Sequence, residues 1–192
     1  MAFLVDGNSN VISFAEYTDV LQKDQRVLEA NELSVPAESG FADVTEFVED
    51  LLEKSTNRIL LKMKASTWWQ SYNAYVGNSI SDLSNLPNVN PNLIDPGNAL
   101  GRQQQFTDMC VYYCFKEYLL PLIADFSTDE SPEVMKIKYY DVKFNDIYKE
   151  LISMADWYDF DNDGTVQVDE KAISYSTANR RSRRRKSIVG IR

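Results

Sequence analysis

The chain has 192 residues, 44% of them hydrophobic, and a formal net charge of −9, a length that suits one domain with a sizeable core. It has no histidine and only two cysteines, Cys110 and Cys114, which argues against a zinc site or a histidine-based catalytic centre. No run of about 18 apolar residues exists, and the N-terminus lacks a basic region followed by an apolar stretch. We therefore expect neither a membrane span nor a secretory signal, and we interpret the cysteines as small buried hydrophobes in a reducing compartment.

The first predicted helix follows a capping box formed by Ser13 and Glu16, and it should run to about Ala30. Asp43 and Glu46 repeat the same capping pattern. The apolar spacing behind them predicts a second helix of about 20 or more residues. The adjacent tryptophans at 68–69 follow, and such dense aromatics are typical of a core or a subunit interface.

Residues 77–98 break every helical or strand period and predict a loop of about 20 residues, which packs against its own body or a partner. Residues 106–126 are apolar around nearly the whole circumference, as in the centre of a bundle, with a kink at Pro121. A Ser-Pro-Glu cap starting at Ser131 begins a long helix predicted to run to about Tyr158. The expected fold is therefore mostly α.

The domain organisation follows from these elements. We predict a helical bundle of about four main helices in one domain, residues 1–176, followed by an extended basic C-terminal tail, residues 177–192. The domain contains the irregular loop at residues 77–98. Near its end it also contains a motif with candidate metal-binding residues. A short helix is expected after that motif, around Ala172 to Tyr175.

The motif is DFDNDGTVQVDE at 159–170, which fits the twelve-residue calcium loop of an EF-hand. Ca²⁺ prefers six to eight oxygen ligands, and Gly164 permits the sharp turn at the sixth position. The candidate ligands are Asp159, Asp161, Asp163, Thr165 through its backbone carbonyl, Gln167 and Glu170. The sequence contains no second loop of this kind, so we interpret the motif as a structural calcium staple. The alternative is an acidic turn between two helices that binds no metal.

Charge is segregated between this body and the tail. From residue 180 onward there are seven basic residues and no acid: Arg180, Arg181, Arg183, Arg184, Arg185, Lys186 and Arg192. Without these seven positive charges, the net charge of −9 becomes −16 for residues 1–179. Such a tail can fold back on the body, bind nucleic acid, hold an acidic neighbour, or stay disordered and solubilising. The first six of these residues are the candidate partner-binding set.

Four function classes compete. The chain has no glycine-rich phosphate loop, no Gly-x-Ser-x-Gly motif and no histidine base, so we predict that it is not an enzyme. A calcium sensor would need paired loops and a methionine-rich groove. A nucleic-acid-binding protein would have to rely on the arginine-rich tail, because a body of charge −16 repels phosphates. The remaining class is a structural part of an assembly.

The order of elements resembles the head–tail adaptor, or neck (head-completion), proteins of tailed bacteriophages. Three segments carry the resemblance: the helix ADVTEFVEDLLEKSTNRILLKMKASTWW at 42–69, the buried CVYYCFKEYLL at 110–120, and the long helix ending KYYDVKFNDIYKELISMADWYDFDNDGTVQVDE at 138–170. The resemblance implies a virion subunit assembled in the bacterial cytoplasm. If the protein is not viral, we expect a cytoplasmic location.

The implied role is a ring of about twelve copies beneath the portal, which extends the DNA channel and supports the next neck or tail protein. The implied partners are the portal, other neck and tail proteins, further copies of the chain and the packaged DNA. The basic tail would dock on the portal or on a neighbouring subunit.

Overall fold

The computed structural model describes residues 3–29, 40–66, 68–69, 94–127, 131–159 and 163–166. In this part of the chain, four helices and a short two-stranded hairpin surround one hydrophobic core, which confirms the mostly α fold. Of the helices within these ranges, none has the combination of length and apolarity required to cross a membrane.

A β-hairpin that the sequence patterns do not predict precedes the first helix. Strands β1 (Leu4–Val5) and β2 (Val11–Ser13) pair antiparallel. The Asp6 carboxylate closes the turn between them, because it accepts the backbone N–H groups of Asn8 and Asn10, each at 2.8 Å. The short Asp-Gly turn is the only local signal for this hairpin, since strands of two and three residues carry no readable alternation.

Helix α1 (Tyr17–Glu29) starts later than the predicted capping box, and the Ser13 cap is wrong. The buried Ser13 ends β2, and its hydroxyl lies 3.3 Å from Oγ1 of Thr56. The helix instead uses Asp19, whose carboxylate accepts the backbone N–H of Glu16 at 3.0 Å. An acid in the first turn that reaches back to the cap residue is one half of a capping box, placed three residues further along than expected.

Helix α2 (Val44–Lys64) matches the prediction in extent and in its cap. The Asp43 carboxylate accepts the N–H of Glu46 at 2.9 Å, and the Glu46 carboxylate accepts the N–H of Ala42 at 2.7 Å. Both bonds satisfy donors that the first turn of a helix leaves without partners. The residues that α2 buries are Phe47, Val48, Leu51, Leu52, Ser55, Thr56, Ile59 and Met63.

The next element is a continuous rod, here called α3, built from three pieces. It begins as an α-helix at Gln103–Cys114, becomes π-helical at Phe115–Leu119 and returns to α-helix at Leu120–Ile123. The predicted range, 106–126, is displaced by three residues at each end. The π-helical hydrogen bonds lie immediately before Pro121, where a kink is predicted, and such segments are a usual site of helix irregularity.

The last helix, α4 (Pro132–Met154), begins at the predicted cap. The Ser131 hydroxyl accepts the N–H of Val134 at 3.3 Å. The predicted end near Tyr158 is wrong, because Ala155 has a left-handed φ of 49° and the helix stops there. The residues beyond are needed for a different contact, an antiparallel bridge to a segment before α3.

Helices α3 and α4 form an antiparallel hairpin. Phe115 stacks on Tyr140 with ring centroids 4.8 Å apart, while Tyr113 meets the buried Phe144 edge-on at 5.2 Å. Helix α2 packs against the same rod through Leu52, whose carbonyl accepts a hydrogen bond from the thiol of Cys110 at 3.6 Å. Helix α3 is therefore the centre of the bundle, as its all-round apolar character predicts.

Candidate metal centre

The predicted calcium ligands fall partly within the described residues. Asp159 is buried, with 1% of its surface exposed, and Asp163 and Thr165 are exposed. Asp161, Gln167 and Glu170 lie outside the described residues. The candidate partner-binding residues of the tail also lie outside them: Arg180, Arg181, Arg183, Arg184, Arg185 and Lys186.

The first half of the candidate loop is closed by one hydrogen bond. Oδ2 of Asp159 accepts the backbone N–H of Gly164 at 2.8 Å. Gly164 has a φ of +89°, a left-handed conformation that favours glycine. The sequence therefore places glycine where the backbone turns, and the first and sixth residues of the motif are in direct contact.

The fifth residue of the motif makes a local turn of its own. Oδ1 of Asp163 accepts both the backbone N–H and the hydroxyl of Thr165, each at 2.8 Å. An aspartate that binds the backbone two residues ahead is an Asx-turn, which stabilises a tight loop in the absence of metal. Asp159 and Asp163 thus each accept a backbone hydrogen bond within the described part of the motif.

The start of the loop is fixed to a distant segment of the chain. The N–H of Asp159 donates to the carbonyl of Asn98 at 2.9 Å, and the N–H of Gly101 donates to the carbonyl of Trp157 at 3.0 Å. Ala99 and Tyr158 form the antiparallel bridge between these two bonds. This short ladder replaces the last turn of the predicted entering helix, and it holds the Asp159 backbone in place.

Aromatic packing covers the ladder. Trp157 is fully buried, and its indole N–H donates to the carbonyl of Leu151 at 2.8 Å. Its ring lies 4.5 Å from that of Trp68, centroid to centroid, which places the tryptophan pair of the sequence in the core. The hydroxyl of Tyr158 accepts the backbone N–H of Asp95 at 3.1 Å. The approach to the loop is therefore a rigid, packed segment.

Sequence reasoning does not identify Asn98 and Gly101 as anchors of the loop. The Asp-Pro-Gly-Asn stretch at 95–98 predicts only a turn, and the structure shows it as a 3-10 helix, Pro96–Asn98. The contact joins residues almost 60 positions apart, so no local pattern carries it. A glycine just before a helix is the one available signal, because glycine permits the close approach of another backbone.

The donor chemistry of the motif suits a hard cation, since every candidate ligand atom is an oxygen. Within the described residues, no group of three or more His, Cys, Asp or Glu side chains converges on a point where a metal could bind. The described part of the loop contributes Asp159 and Asp163, and Ca²⁺ would require the remaining oxygens from Asp161, Gln167 and Glu170.

The two thiols are poor candidates for chemistry. Both are buried in the bundle. Burial raises the pKa of the Cys110 thiol to about 11, and burial also raises the pKa of Cys114. The thiolate is the nucleophilic form of cysteine. These side chains therefore act as core residues, in agreement with the interpretation from the sequence.

Comparison of the chain with models of known protein families, with curated protein sequences and with solved structures gives no match.

Proposed function

We propose that the protein is a non-enzymatic assembly subunit, a ring-forming head–tail adaptor of the neck of a tailed bacteriophage. The observation that carries the proposal is the placement of exposed apolar side chains. Nine large hydrophobic residues are exposed among those described, and five lie at the closed end of the α3–α4 hairpin or on the first half of α4, which leads away from it. These five are Leu122, Phe126, Met135, Tyr139 and Val142.

The hairpin geometry places Leu122 and Met135 at one end of the bundle, and Tyr139 and Val142 continue from there along α4 toward its middle. Lys116 of α3 pairs with Asp141 of α4, with Nζ and Oδ1 2.7 Å apart. Because the two helices run antiparallel, moving forward from Lys116 and backward from Asp141 leads to the same end. Leu122 and Met135 lie at that end, each six residues from its partner in the pair.

A group of neighbouring exposed apolar side chains marks an interaction surface. Exposed apolar residues that are scattered singly, in contrast, are normal on a protein surface. Both thiols are buried. Exposed apolar surface of this kind suits a part of an assembly. The resemblance to neck proteins then supplies the assembly and the portal as the partner.

The test is co-expression of the full chain with the portal protein encoded in the same genome, followed by electron microscopy of the purified complex. We expect rings of about twelve copies on the portal, in keeping with the closed symmetry of most oligomers. The matched control is the full-length variant in which all six basic residues between Arg180 and Lys186 are changed to Ser. It should lose docking if the tail holds the portal. Absence of the wild-type chain from both the complex and purified virions would refute the proposal.

A second candidate, a calcium-binding module, is favoured by the contact between Asp159 and Gly164. That contact joins the first and sixth residues of the motif, and the sixth is the glycine turn that a calcium loop of this kind requires. In this alternative the chain is a regulatory or interaction protein, and Ca²⁺ at the loop stabilises the exit from α4.

Calorimetric titration with Ca²⁺ tests the site, using the wild type and the double variant Asp161→Ala plus Glu170→Ala. We expect about one equivalent bound by the wild type and none by the variant. Saturation at 100 times Kd should stabilise the wild type by about 2.7 kcal/mol. No heat at millimolar Ca²⁺ would leave the motif as a metal-free turn. A Ca²⁺-dependent rise in exposed apolar surface would favour the regulatory role over the staple.

A further inference from the structure

We propose that the exposed face of α4 binds the acidic first half of α2 of a second copy of the chain. This inference deepens the proposed function and rests on it, because it names the surfaces through which the ring subunits meet. The α4 face consists of Met135, Tyr139 and Val142 together with two lysines, Lys138 and Lys143. The α2 surface consists of four acidic side chains, Glu46, Glu49, Asp50 and Glu53.

The apolar part of the α4 face is a continuous row. Met135, Tyr139 and Val142 are 61%, 54% and 58% exposed, and they follow each other at spacings of four and three residues. Residues at this spacing lie on one side of a helix, so the row projects from the bundle instead of entering it. It ends one turn later at the exposed Asp146.

The two lysines of this face have no ion-pair partner among the described residues. Lys138 and Lys143 are exposed, and the Lys143 ammonium lies 5.6 Å from the centre of the Tyr139 ring. Two neighbouring lysines, in contrast, form ion pairs within the bundle. Lys136 pairs with Asp24 at 2.5 Å, and Lys116 pairs with Asp141 at 2.7 Å. Lys138 and Lys143 therefore offer a partner positive charge beside the apolar row.

The complementary surface lies on the outer side of α2. Its first half carries Glu46, Glu49, Asp50 and Glu53, all outside the buried stripe of the helix. Asp50 pairs with Lys54 at 2.6 Å. Neither Glu49 nor Glu53 has an ion pair within the described ranges. The second half of α2 is basic, so the negative charge is confined to one end of the helix.

The two surfaces lie apart on the bundle. Leu52 of α2 contacts Cys110 of α3, and Lys62 donates to Oδ1 of Asn145 at 3.4 Å. Helix α2 therefore approaches α4 with its C-terminal end. Its acidic first half precedes the contact with α3 and lies away from α4.

Surfaces separated in this way do not meet within one copy, but they can pair between copies, head to tail. Such a heterologous contact closes into a ring when the rotation between subunits permits it. The exposed row covers a few hundred Å², below the roughly 800 Å² per partner of a stable interface. A single contact is accordingly weak, and many contacts made together hold the ring.

Charge reversal on the full-length chain tests the pairing. One variant carries Lys138→Glu and Lys143→Glu, and the other carries Glu49→Lys and Glu53→Lys. Sedimentation velocity over a concentration series should show self-association weakened at least about tenfold in each variant alone. An equimolar mixture should recover association, because each surface then meets a partner of opposite charge. Circular dichroism confirms that both variants keep the helical content of the wild type.

A second pair of variants tests the apolar row independently of charge. Val142→Ser should weaken association, whereas Leu61→Ser should leave it unchanged, although the two side chains are 58% and 57% exposed. A wild-type chain that stays monomeric at millimolar concentration would overturn the pairing. So would charge-reversed variants that associate like the wild type. If such variants still form rings on the portal, the assigned surfaces are wrong and the adaptor function stands.

Discussion

Arg102 holds Asp156 with two parallel hydrogen bonds, from Nε to Oδ1 at 2.5 Å and from Nη2 to Oδ2 at 3.0 Å. Arg102 precedes α3 with a left-handed φ of 57°, and Asp156 follows the residue that ends α4. The hydrogen bond that the guanidinium donates to Asp156 outweighs the effect of burial and raises the pKa of Arg102 above its usual value. This pair fastens the open end of the α3–α4 hairpin, next to the ladder that supports the candidate metal loop.

Replacing Arg102 with Lys keeps the charge and removes the two-pronged geometry. We expect a loss of about 1 kcal/mol in the free energy of unfolding, because both partners are only partly buried. The melting temperature should fall by roughly 2–4 °C. A double-mutant cycle with Asp156→Asn isolates the pairwise energy. Strictly additive effects of the two changes would contradict the assigned pairing.

Gly101 tolerates no side chain. A Cβ at this position would lie 2.7 Å from the carbonyl oxygen of Asp156 and 2.8 Å from Cα of Trp157, both backbone atoms. Gly101→Ala should therefore lower the free energy of unfolding by about 2–4 kcal/mol, measured by urea denaturation.

Gly7 provides the matched control, since a Cβ there meets nothing within 4 Å. Gly7→Ala should change the urea midpoint little, or raise it slightly by restricting the unfolded chain. Equal midpoints for the two alanine variants would show that the ladder between residues 98–101 and 157–159 shifts without cost.

Lys136 and Asp24 should respond unequally to the loss of their partner. Asp24, where α1 departs from helical geometry with a φ of −155°, is 11% exposed at the side chain, whereas Lys136 is 39% exposed. Lys136→Met leaves a buried carboxylate near the Tyr140 hydroxyl, 3.5 Å away. Asp24→Asn leaves an ammonium that water can reach.

We expect Lys136→Met to destabilise by about 2 kcal/mol and Asp24→Asn by about 1 kcal/mol, because an unpaired buried charge costs more than an unpaired exposed one. Urea denaturation of both variants at neutral pH measures the difference. The reverse order would mean that the helical kink at Asp24 depends on the carboxylate itself more than on its pairing with α4.

Alkaline pH should destabilise the fold through Cys110. Its folded-state pKa is raised by burial to about 11, from a reference of 9.0. Because the unfolded chain releases this proton first, the stabilisation is fully present below pH 9 and is lost as the pH rises through 11. The maximum slope for one such group is about 1.4 kcal/mol per pH unit.

The measurement is the urea midpoint between pH 8 and 11, for the wild type and for Cys110→Ala. The wild type should lose stability more steeply than the variant over this window, since the variant has one fewer buried thiol to ionise. Cys114 remains in both chains and serves as an internal reference. Parallel pH profiles would show that the Cys110 thiol is accessible to water in the folded state.

The helices that could be predicted are those whose signals lie close together in the sequence. Asp43 caps α2 and Ser131 caps α4 because each side chain bonds a backbone N–H three residues away. The Ser13 prediction failed for the opposite reason. Its hydroxyl is used by Thr56, more than 40 residues distant, and the local pattern contains no trace of that contact.

The end of α4 was mispredicted for a related reason. Tyr158 continues the apolar spacing of the helix, although it is buried against Trp68 and forms the bridge to Ala99. Apolar spacing records burial and not backbone conformation, so a short extended segment in the core resembles one more helical turn. At the candidate site, the motif predicted the glycine turn at Gly164, while the anchoring carbonyl of Asn98 required the tertiary structure.

All three tryptophans of the chain, Trp68, Trp69 and Trp157, are packed in one cluster, with neighbouring ring centroids 4.5–5.6 Å apart. Tryptophan fluorescence of this protein therefore reports on a single region, the open end of the α3–α4 hairpin beside Asp159. The emission should change when a ligand binds at the acidic loop, and it should not change when contacts form at the closed end of the α3–α4 hairpin. Tryptophan emission can thus distinguish binding at the loop from subunit association without an added label.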